Sequence, residues 1–398
     1  MKKFSKIVLT RDLMLFMIAS ALLGVTTAVE SSSFANRLLE DLNFTITQRT
    51  LLEIPRELPG LLVVFFAGAL AFLGDVRTAA VANIFGGIGL LAFGLVPSGY
   101  WPVVFTMMLY STGQHLYMPI QGALAMSFAK GDNIGRRLGE IQGINTAAMI
   151  VTAATLYLLY RFVNIPFLVS FSIGAAAMLL AGVAFLFMSP THTAPRKQRF
   201  IYRKKFSLFY ALSVINGARK QITITFVPWL LITVYEQPVS TITMLFFCVS
   251  ALNVFFRPWL GGLIDRKGER FVLTLEASLL LIACCGFAFS KLIFPETIAL
   301  IIVCGCYVID NLFAGAGMAR TTYVRRMTDD PSEVSATLSL GISLDHVISM
   351  SMPAFAGILW LSNVGTGYVY VFIGGLAISL INMFLANRIR VRSAVTET

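Results

Sequence analysis

The sequence predicts an all-α membrane protein built from two similar bundles of six helices, and three observations lead to this fold class. Of the 398 residues, 57% are hydrophobic and only 13% are charged, and the mean hydropathy is +0.78. Apolar stretches of about 20 residues, the length that crosses a bilayer as a helix, recur along the chain. A short charged signature occurs twice, about half a chain apart. A soluble protein would carry about 25% charged residues, so a soluble fold is excluded.

Twelve apolar stretches are long enough to be membrane-spanning helices. Their limits are 12–36, 51–73, 78–96, 101–129, 138–160, 165–188, 207–234, 239–263, 269–290, 296–320, 333–361 and 366–387. Two prolines and a basic run interrupt the pattern after the sixth stretch. We therefore predict an N-terminal six-helix bundle over 1–189, a cytoplasmic basic linker over 190–206 and a C-terminal six-helix bundle over 207–398.

The net charge of +11 is distributed unevenly among the predicted loops. Lys and Arg concentrate in both terminal tails and in the loops of one parity, whereas loops of the other parity, such as 97–99, are nearly bare. Loops rich in Lys and Arg stay in the cytoplasm, so both termini are predicted there and the cytoplasmic (inner) membrane is the expected location. The basic charge orients the chain in the lipid bilayer and does not indicate nucleic-acid binding.

The repeated signature lies between two apolar stretches in each half of the chain. Its clearer copy contains Gly261, Asp265, Arg266, Gly268 and Arg270, and a second copy ends with Asp75 and Arg77. A glycine permits the backbone angles of a tight turn between two spans. An aspartate at a helix end pairs with arginines or with unsatisfied backbone N–H groups. This pattern, in so apolar a chain, resembles the major facilitator superfamily of secondary transporters over essentially the whole length.

The resemblance implies a multi-pass transporter that works by alternating access, with the substrate path between the two halves near the middle of the bilayer. The first, fourth, seventh and tenth spans would line this path. The signature loops would act as gating latches on the cytoplasmic face, which involves Gly261, Asp265, Arg266, Gly268, Arg270, Asp75 and Arg77. We expect a monomer that binds a small-molecule substrate and protons and that is not an enzyme.

Ionisable side chains inside the spans are the candidates for handling substrate and protons, because each costs about 2.5–3.5 kcal/mol to insert. With a rise of about 1.5 Å per residue, Arg219 and Lys220 lie roughly 18–20 Å into the seventh span. Asp310 and Asp345 lie at similar depths in the tenth and eleventh spans. An unpaired cation would be costly there, so one of these aspartates is the expected partner. A purely structural pair between helices is the alternative reading.

The candidate residues divide into two groups by their chemistry. A carboxylate in a cavity, with a neighbouring histidine that titrates near neutral pH, can carry protons. Proton coupling is therefore predicted for Asp345, Asp310, His346 and Glu30. Substrate contact is predicted for Arg219, Lys220, His115, Gln114 and Arg56. A cation released by protonation of its carboxylate partner would favour a small organic anion or an amphipathic molecule with an anionic head.

Two alternative functions stay open. The position of Glu30 resembles that of an acidic residue in several proton-driven multidrug exporters of the superfamily, although the fifth span lacks the Gly-Pro pair usual in them. The same scaffold could also serve a non-transporting receptor or a lipid-handling protein. No phosphate-binding loop for ATP is present in the sequence. Cys304 and Cys306 fall on different faces of a helix and the chain has only three histidines, so we expect no metal site and no cofactor.

Overall fold

The computed structural model describes residues 10–128, 134–190, 202–328 and 330–389 and is helical throughout, with no strand in these ranges. The first seven helices are α1 (Arg11–Asn36), α2 (Ile46–Leu51), α3 (Glu53–Ala69), α4 (Gly74–Leu95), α5 (Tyr100–Ser127), α6 (Ile134–Leu158) and α7 (Phe167–Leu186). The remaining six are α8 (Ser207–Thr233), α9 (Val239–Ile293), α10 (Glu296–Phe313), α11 (Gly317–Met327), α12 (Pro331–Leu361) and α13 (Gly367–Asn387). Single π-helical turns continue α1 and α6.

The helices have the length and composition of a multi-pass membrane protein. Within the described residues, eight helical stretches are long and apolar enough to cross a membrane. The predicted all-α membrane class is thus confirmed. The number of twelve spans and the cytoplasmic position of both termini stay predictions, and residues 1–9 and 390–398 lie outside the described ranges.

The predicted eighth and ninth spans form one helical stretch of 55 residues, α9, which is broken at Gly268. The backbone of Gly268 has a φ of 80° and a ψ of 167°. A side chain resists this conformation, whereas glycine adopts it readily. The turn expected from the signature therefore lies at the glycine that the sequence singled out.

Contacts divide the chain into two compact units, and one segment of the first half of the sequence belongs to the second unit. The N-terminal unit comprises the described residues of Met1–Phe34 and Leu62–Pro195, and the C-terminal unit comprises those of Ala35–Leu61 and Arg196–Thr398. The segment Ala35–Leu61, which holds α2 and the start of α3, thus packs with the helices of the second half. The domain limits expected from the sequence stay a prediction, and residues 191–201 of the expected linker lie outside the described ranges.

Helices of the N-terminal unit pack closely around α4, which contacts α5 and α7. A Cβ atom at Gly113 would lie 2.3 Å from the carbonyl oxygen of Ala82, so only glycine allows α5 to approach α4 this closely. Small residues at such contacts are typical of membrane helices.

In the C-terminal unit, α8 packs against α12 and α13, and α9 packs against α10 and α13. A buried apolar cluster that includes Phe206, Phe209 and Leu212 surrounds the start of α8. A Cβ atom at Gly217 would lie 2.7 Å from the carbonyl oxygen of Asp345, so this glycine permits the close approach of α8 and α12. The approach brings the polar side chains beside Gly217 within reach of Asp345.

Candidate functional site

Two ion pairs lie in the interior of the C-terminal unit, and they face different helices. Arg219 and Lys220 are consecutive on α8, and consecutive helical side chains point about 100° apart. The Nη1 atom of Arg219 donates to Oδ1 of Asp310 on α10 at 2.7 Å, while Nζ of Lys220 donates to Oδ2 of Asp345 on α12 at 2.5 Å. The Arg219–Asp310 pair is deeply buried, with side chains 4% and 9% exposed. The Lys220 side chain is 32% exposed.

This difference in exposure follows from a cavity of about 280 Å³ in the C-terminal unit. The cavity lies beside the first half of α8, the start of α11 and the first half of α12. The predicted topology places this half of α12 on the cytoplasmic side. Its lining residues are Phe209, Ser213, Asn216, Lys220, Gly317, Arg320, Thr321, Leu338, Gly341, Ile342 and Asp345. Lys220 and Asp345 belong to this lining, whereas Arg219 and Asp310 do not.

A row of hydrogen bonds, which we call the polar ladder, runs along the cavity through Glu276, Arg320, Asn216, Asp345 and Lys220. The guanidinium of Arg320 donates from Nη1 to Oε2 of Glu276 at 3.3 Å and from Nη2 to Oδ1 of Asn216 at 2.8 Å. The Nδ2 atom of Asn216 donates to Oδ1 of Asp345 at 3.0 Å. Glu276, at the inner end of the ladder, is fully buried. The ladder joins two cations and two carboxylates across four helices.

A second polar group ties the Ala35–Leu61 segment to α8. The carboxylate of Glu53 is fully buried and accepts hydrogen bonds from Arg49, from Nη1 of Arg56 at 2.9 Å and from Nε2 of Gln221 at 2.7 Å. Arg56, a predicted substrate contact, is thus engaged by Glu53.

The same segment reaches α12 through Glu57. The Oε2 atom of Glu57 lies 2.9 Å from Nδ1 of His346, which directly follows Asp345. Glu57 is also close enough to Lys220 for an electrostatic interaction. The predicted residues Lys220, Asp345 and His346 therefore lie together, with Glu57 as a further member of the group.

The remaining predicted residues of the first half lie in the N-terminal unit. Glu30 on α1 is buried, and the hydroxyl of Ser31 donates to its Oε2 atom at 3.4 Å. His115 on α5 is also buried, and its Nδ1 atom lies 3.0 Å from the hydroxyl oxygen of Ser111. Gln114, the neighbour of His115, is half-buried. Their predicted roles stay predictions.

Comparison with known proteins decides the family. A profile described as the Major Facilitator Superfamily matches residues 13–325. The chain belongs to this superfamily. No curated protein sequence matches the chain significantly. The superfamily assignment confirms the resemblance that the repeated signature indicated.

Solved structures of superfamily members share the fold. The crystal structure of a mutant of the nucleoside transporter NupG aligns with a TM-score of 0.78 at 13% identity, covering 95% of this chain and 99% of that one. A bacterial homologue of the human lysosomal transporter Spinster, in an inward-facing and occupied conformation, aligns at 0.70 and 15%, covering 95% and 96%. A D-xylose-proton symporter aligns at 0.68 and 13%, covering 95% and 98%. At these identities the likeness establishes the fold alone.

The superfamily signature in the second half makes two contacts that the sequence did not predict. Asp265, Arg266 and Arg270 are exposed, and Arg270 reaches Oδ1 of Asn387 at 3.5 Å. The buried acid of this loop is instead Glu269, whose Oε1 atom lies 2.9 Å from Nε of Arg326. In the first-half copy, Asp75 is half-buried and Arg77 is exposed. The latch role of these residues stays a prediction.

Sequence reasoning missed three members of the polar ladder. Glu276 lies inside the predicted span 269–290, where any acid is a functional candidate, so the signal was present. Arg320 is the last residue of the predicted span 296–320 and resembles an ordinary interfacial cation. Asn216 carries no charge, and its importance follows only from its two partners.

Proposed function

We propose that the protein is a secondary transporter that carries a small organic anion across the cytoplasmic membrane by alternating access coupled to protons. The observation that carries this proposal is the cavity in the C-terminal unit, which Lys220, Arg320, Asn216 and Asp345 line together. Ionisable groups inside a membrane span are costly to keep, so Lys220 and Asp345 are candidates for a function in transport.

Charge balance links the anion to the proton. At rest, the cations Lys220 and Arg320 are balanced by the carboxylates of Asp345 and Glu276. Protonation of Asp345 leaves one positive charge uncompensated in surroundings of low dielectric, which is unfavourable. One monoanion bound to Lys220 restores neutrality. The proposal therefore pairs each carried negative charge with one proton.

The size and walls of the cavity set the class of substrate. A volume of about 280 Å³ is near the lower end of ligand pockets, which hold roughly 300–1,000 Å³. Phe209, Leu338 and Ile342 add apolar side chains to the same lining. These features favour a small carboxylate with an apolar body. One structural relative is a D-xylose-proton symporter, which supports proton coupling of a small solute on this fold.

The other predicted residues receive narrower roles in this proposal. Arg219 and Asp310 pair outside the cavity lining and hold α8 against α10. Arg56 braces Glu53. Proton coupling is assigned first to Asp345, with His346 and Glu30 as further candidates, and substrate contact is assigned first to Lys220.

Transport by purified protein in liposomes with an imposed pH gradient tests the proposal. The probes are a panel of radiolabelled small mono- and dicarboxylates, with proton movement followed by a pH-sensitive dye inside the vesicles. We expect carboxylate accumulation driven by the gradient, a loss of at least about tenfold in Lys220→Met, which corresponds to about 1.4 kcal/mol of binding, and loss of gradient dependence in Asp345→Asn. Asn311→Ala is the matched control, because this α10 amide donates to the carbonyl of Tyr307 in its own helix and does not line the cavity.

Two other results would replace the proposal. Accumulation of dye-like cations in inverted vesicles, unaffected by Lys220→Met, would support proton-driven multidrug efflux, for which Glu30 is the candidate proton site. A cellular function that survives both Arg219→Ala and Asp345→Asn would support a non-transporting receptor or a lipid-handling protein.

A further inference from the structure

Resting on the proposed coupling of proton to anion, the geometry points to Asn216 as a positioning residue that directs the proton to Oδ2 of Asp345, the oxygen that holds Lys220. An amide has two chemically different ends, and its orientation follows from its partners. Arg320 is only a donor, so the oxygen of the Asn216 amide must face it, as it does at 2.8 Å. The NH₂ end of Asn216 is then directed at Oδ1 of Asp345.

Arg320 holds this orientation firmly. Its side chain is 10% exposed and pairs with the fully buried Glu276. A flip of the Asn216 amide would turn its NH₂ group toward the guanidinium, donor against donor, and would cost both hydrogen bonds. Asn216 therefore presents a fixed donor to Oδ1 of Asp345.

Both oxygens of Asp345 thus face donors, and only one of the donors can move away. Oδ1 faces the fixed amide of Asn216, and Oδ2 faces the ammonium of Lys220. A lysine ammonium cannot accept from a proton on Oδ2, and protonation also removes the negative charge that held the ammonium there. Lys220 has a flexible four-carbon stem, and its side chain is 32% exposed at the cavity. The proton therefore binds to Oδ2, because Lys220 can move away from this oxygen and Asn216 cannot move away from Oδ1.

The consequence is an obligatory exchange. When Asp345 takes up its proton, Lys220 must leave it and its ammonium becomes available to an anion in the cavity. Without the amide of Asn216, the proton could settle on Oδ1 while Lys220 stays on Oδ2, and proton binding would no longer release the cation. Asn216 therefore determines the coupling although it carries no charge.

The charged groups around Asp345 come from five helices of the C-terminal unit. They are Lys220 on α8, Glu276 on α9, Arg320 on α11, Glu57 on α3 and His346 on α12 itself. Arg219 and Asp310 are paired with each other on the α10 side of α8. Glu57, which interacts electrostatically with Lys220, is already engaged by His346.

Infrared difference spectroscopy of the purified full-length protein during acid titration tests the inference and needs no substrate. The carbonyl band of protonated Asp345 is assigned as the band lost in Asp345→Asn. A proton on Oδ2 makes Oδ1 the carbonyl oxygen, which accepts from Asn216. We expect the band to keep its position in Lys220→Met and to move to lower wavenumber in Asn216→Leu, in which the proton lies on Oδ1 and the carbonyl oxygen Oδ2 accepts from the ammonium of Lys220.

The opposite pattern would overturn the inference: a band that moves in Lys220→Met shows that the carbonyl faces Lys220 and that the proton sits on Oδ1. This comparison of wild type with Lys220→Met decides the question even if Asn216→Leu does not fold. Asn311→Leu is the control and should leave the band in place. The transport assay provides the second readout: Asn216→Leu should lose the dependence of carboxylate transport on pH. If the bands behave as expected but no carboxylate is transported, the proposed function is rejected while the placement of the proton on Oδ2 stands.

Discussion

The two compact units are both helical, but their interiors are held together by different chemistry. In the N-terminal unit, neutral hydrogen bonds join the helices, such as the Thr26 hydroxyl donating to the carbonyl of Gly174 at 2.8 Å. Among the described residues of this unit, Glu140 forms ion pairs with Arg136 and Arg137 at the start of α6. In the C-terminal unit, buried ion pairs join the helices.

This difference shows which unit contains buried ions that lower its stability through desolvation. Removing two charges from water costs several kcal/mol per ion, and their mutual attraction only partly offsets the loss. Neutral hydrogen bonds hold membrane helices together without that cost. The C-terminal unit therefore carries groups that packing alone does not require, which is why the proposed chemistry is assigned to it.

The largest expected effect comes from leaving a buried charge without its partner. Arg219→Met removes the cation from a pair whose side chains are 4% and 9% exposed. We expect the free energy of unfolding to fall by about 3–5 kcal/mol, as measured by chemical unfolding in detergent. The double variant Arg219→Met/Asp310→Leu should recover most of this loss. If the single and double variants are equally stable, the carboxylate of Asp310 is not left uncompensated when Arg219 is removed.

A smaller effect is expected from separating two helices while keeping every charge. In Gly217→Ala the added methyl would lie 2.7 Å from the backbone of α12, so α8 must shift away from Asp345. We expect a loss of about 1–3 kcal/mol in unfolding free energy together with reduced transport. Gly374→Ala is the matched control, because no atom lies within 4 Å of its added methyl. If the two variants behave alike, the close approach at Gly217 has no role in the site.

The N-terminal unit should tolerate loss of one of its neutral bonds. Tyr160→Phe removes the hydroxyl that donates to Ser33 at 3.1 Å and lies 2.5 Å from the hydroxyl of Ser170. We expect a loss of about 1 kcal/mol in unfolding free energy and transport within a few-fold of wild type. A transport defect as large as that of Lys220→Met would show that this hydrogen bond of the N-terminal unit takes part in transport.

The smallest effect concerns an ion cluster at the start of α12, before the apolar stretch Ala336–Leu361 that is fit to cross the membrane. Hydrogen bonds from Lys205 and Thr328, with the charge of Arg203, lower the pKa of Glu333 from 4.5 to about 2. A pKa lowered by folding stabilises the protein above pH 4.5, and this contribution is lost as the pH falls toward 2. The stability difference between wild type and Glu333→Gln should therefore be constant near neutral pH and disappear between these values. If the stability difference between wild type and Glu333→Gln instead grows as the pH falls, the ion cluster does not stabilise the folded protein through the charge of Glu333.

Much of the fold could be predicted from the sequence because its signals are local. Apolar length identifies membrane spans, and the signature around Gly268 identified the turn that the structure confirms by its positive φ. The depth of Arg219, Lys220, Asp310 and Asp345 also follows from counting residues along a helix. These features depend only on neighbours in the chain.

The sequence by itself thus determined the superfamily, the helical class and the presence of both charge signs deep in the second half. Only the tertiary structure decided which cation pairs with which carboxylate, since either aspartate was a possible partner for either cation. It also brought Asn216, Arg320 and Glu276 into one ladder from three helices. The physical reason is that rotation of each helix about its axis, set here by close contacts such as that at Gly217, determines which side chains meet. Such contacts join residues about a hundred positions apart, which no local pattern records.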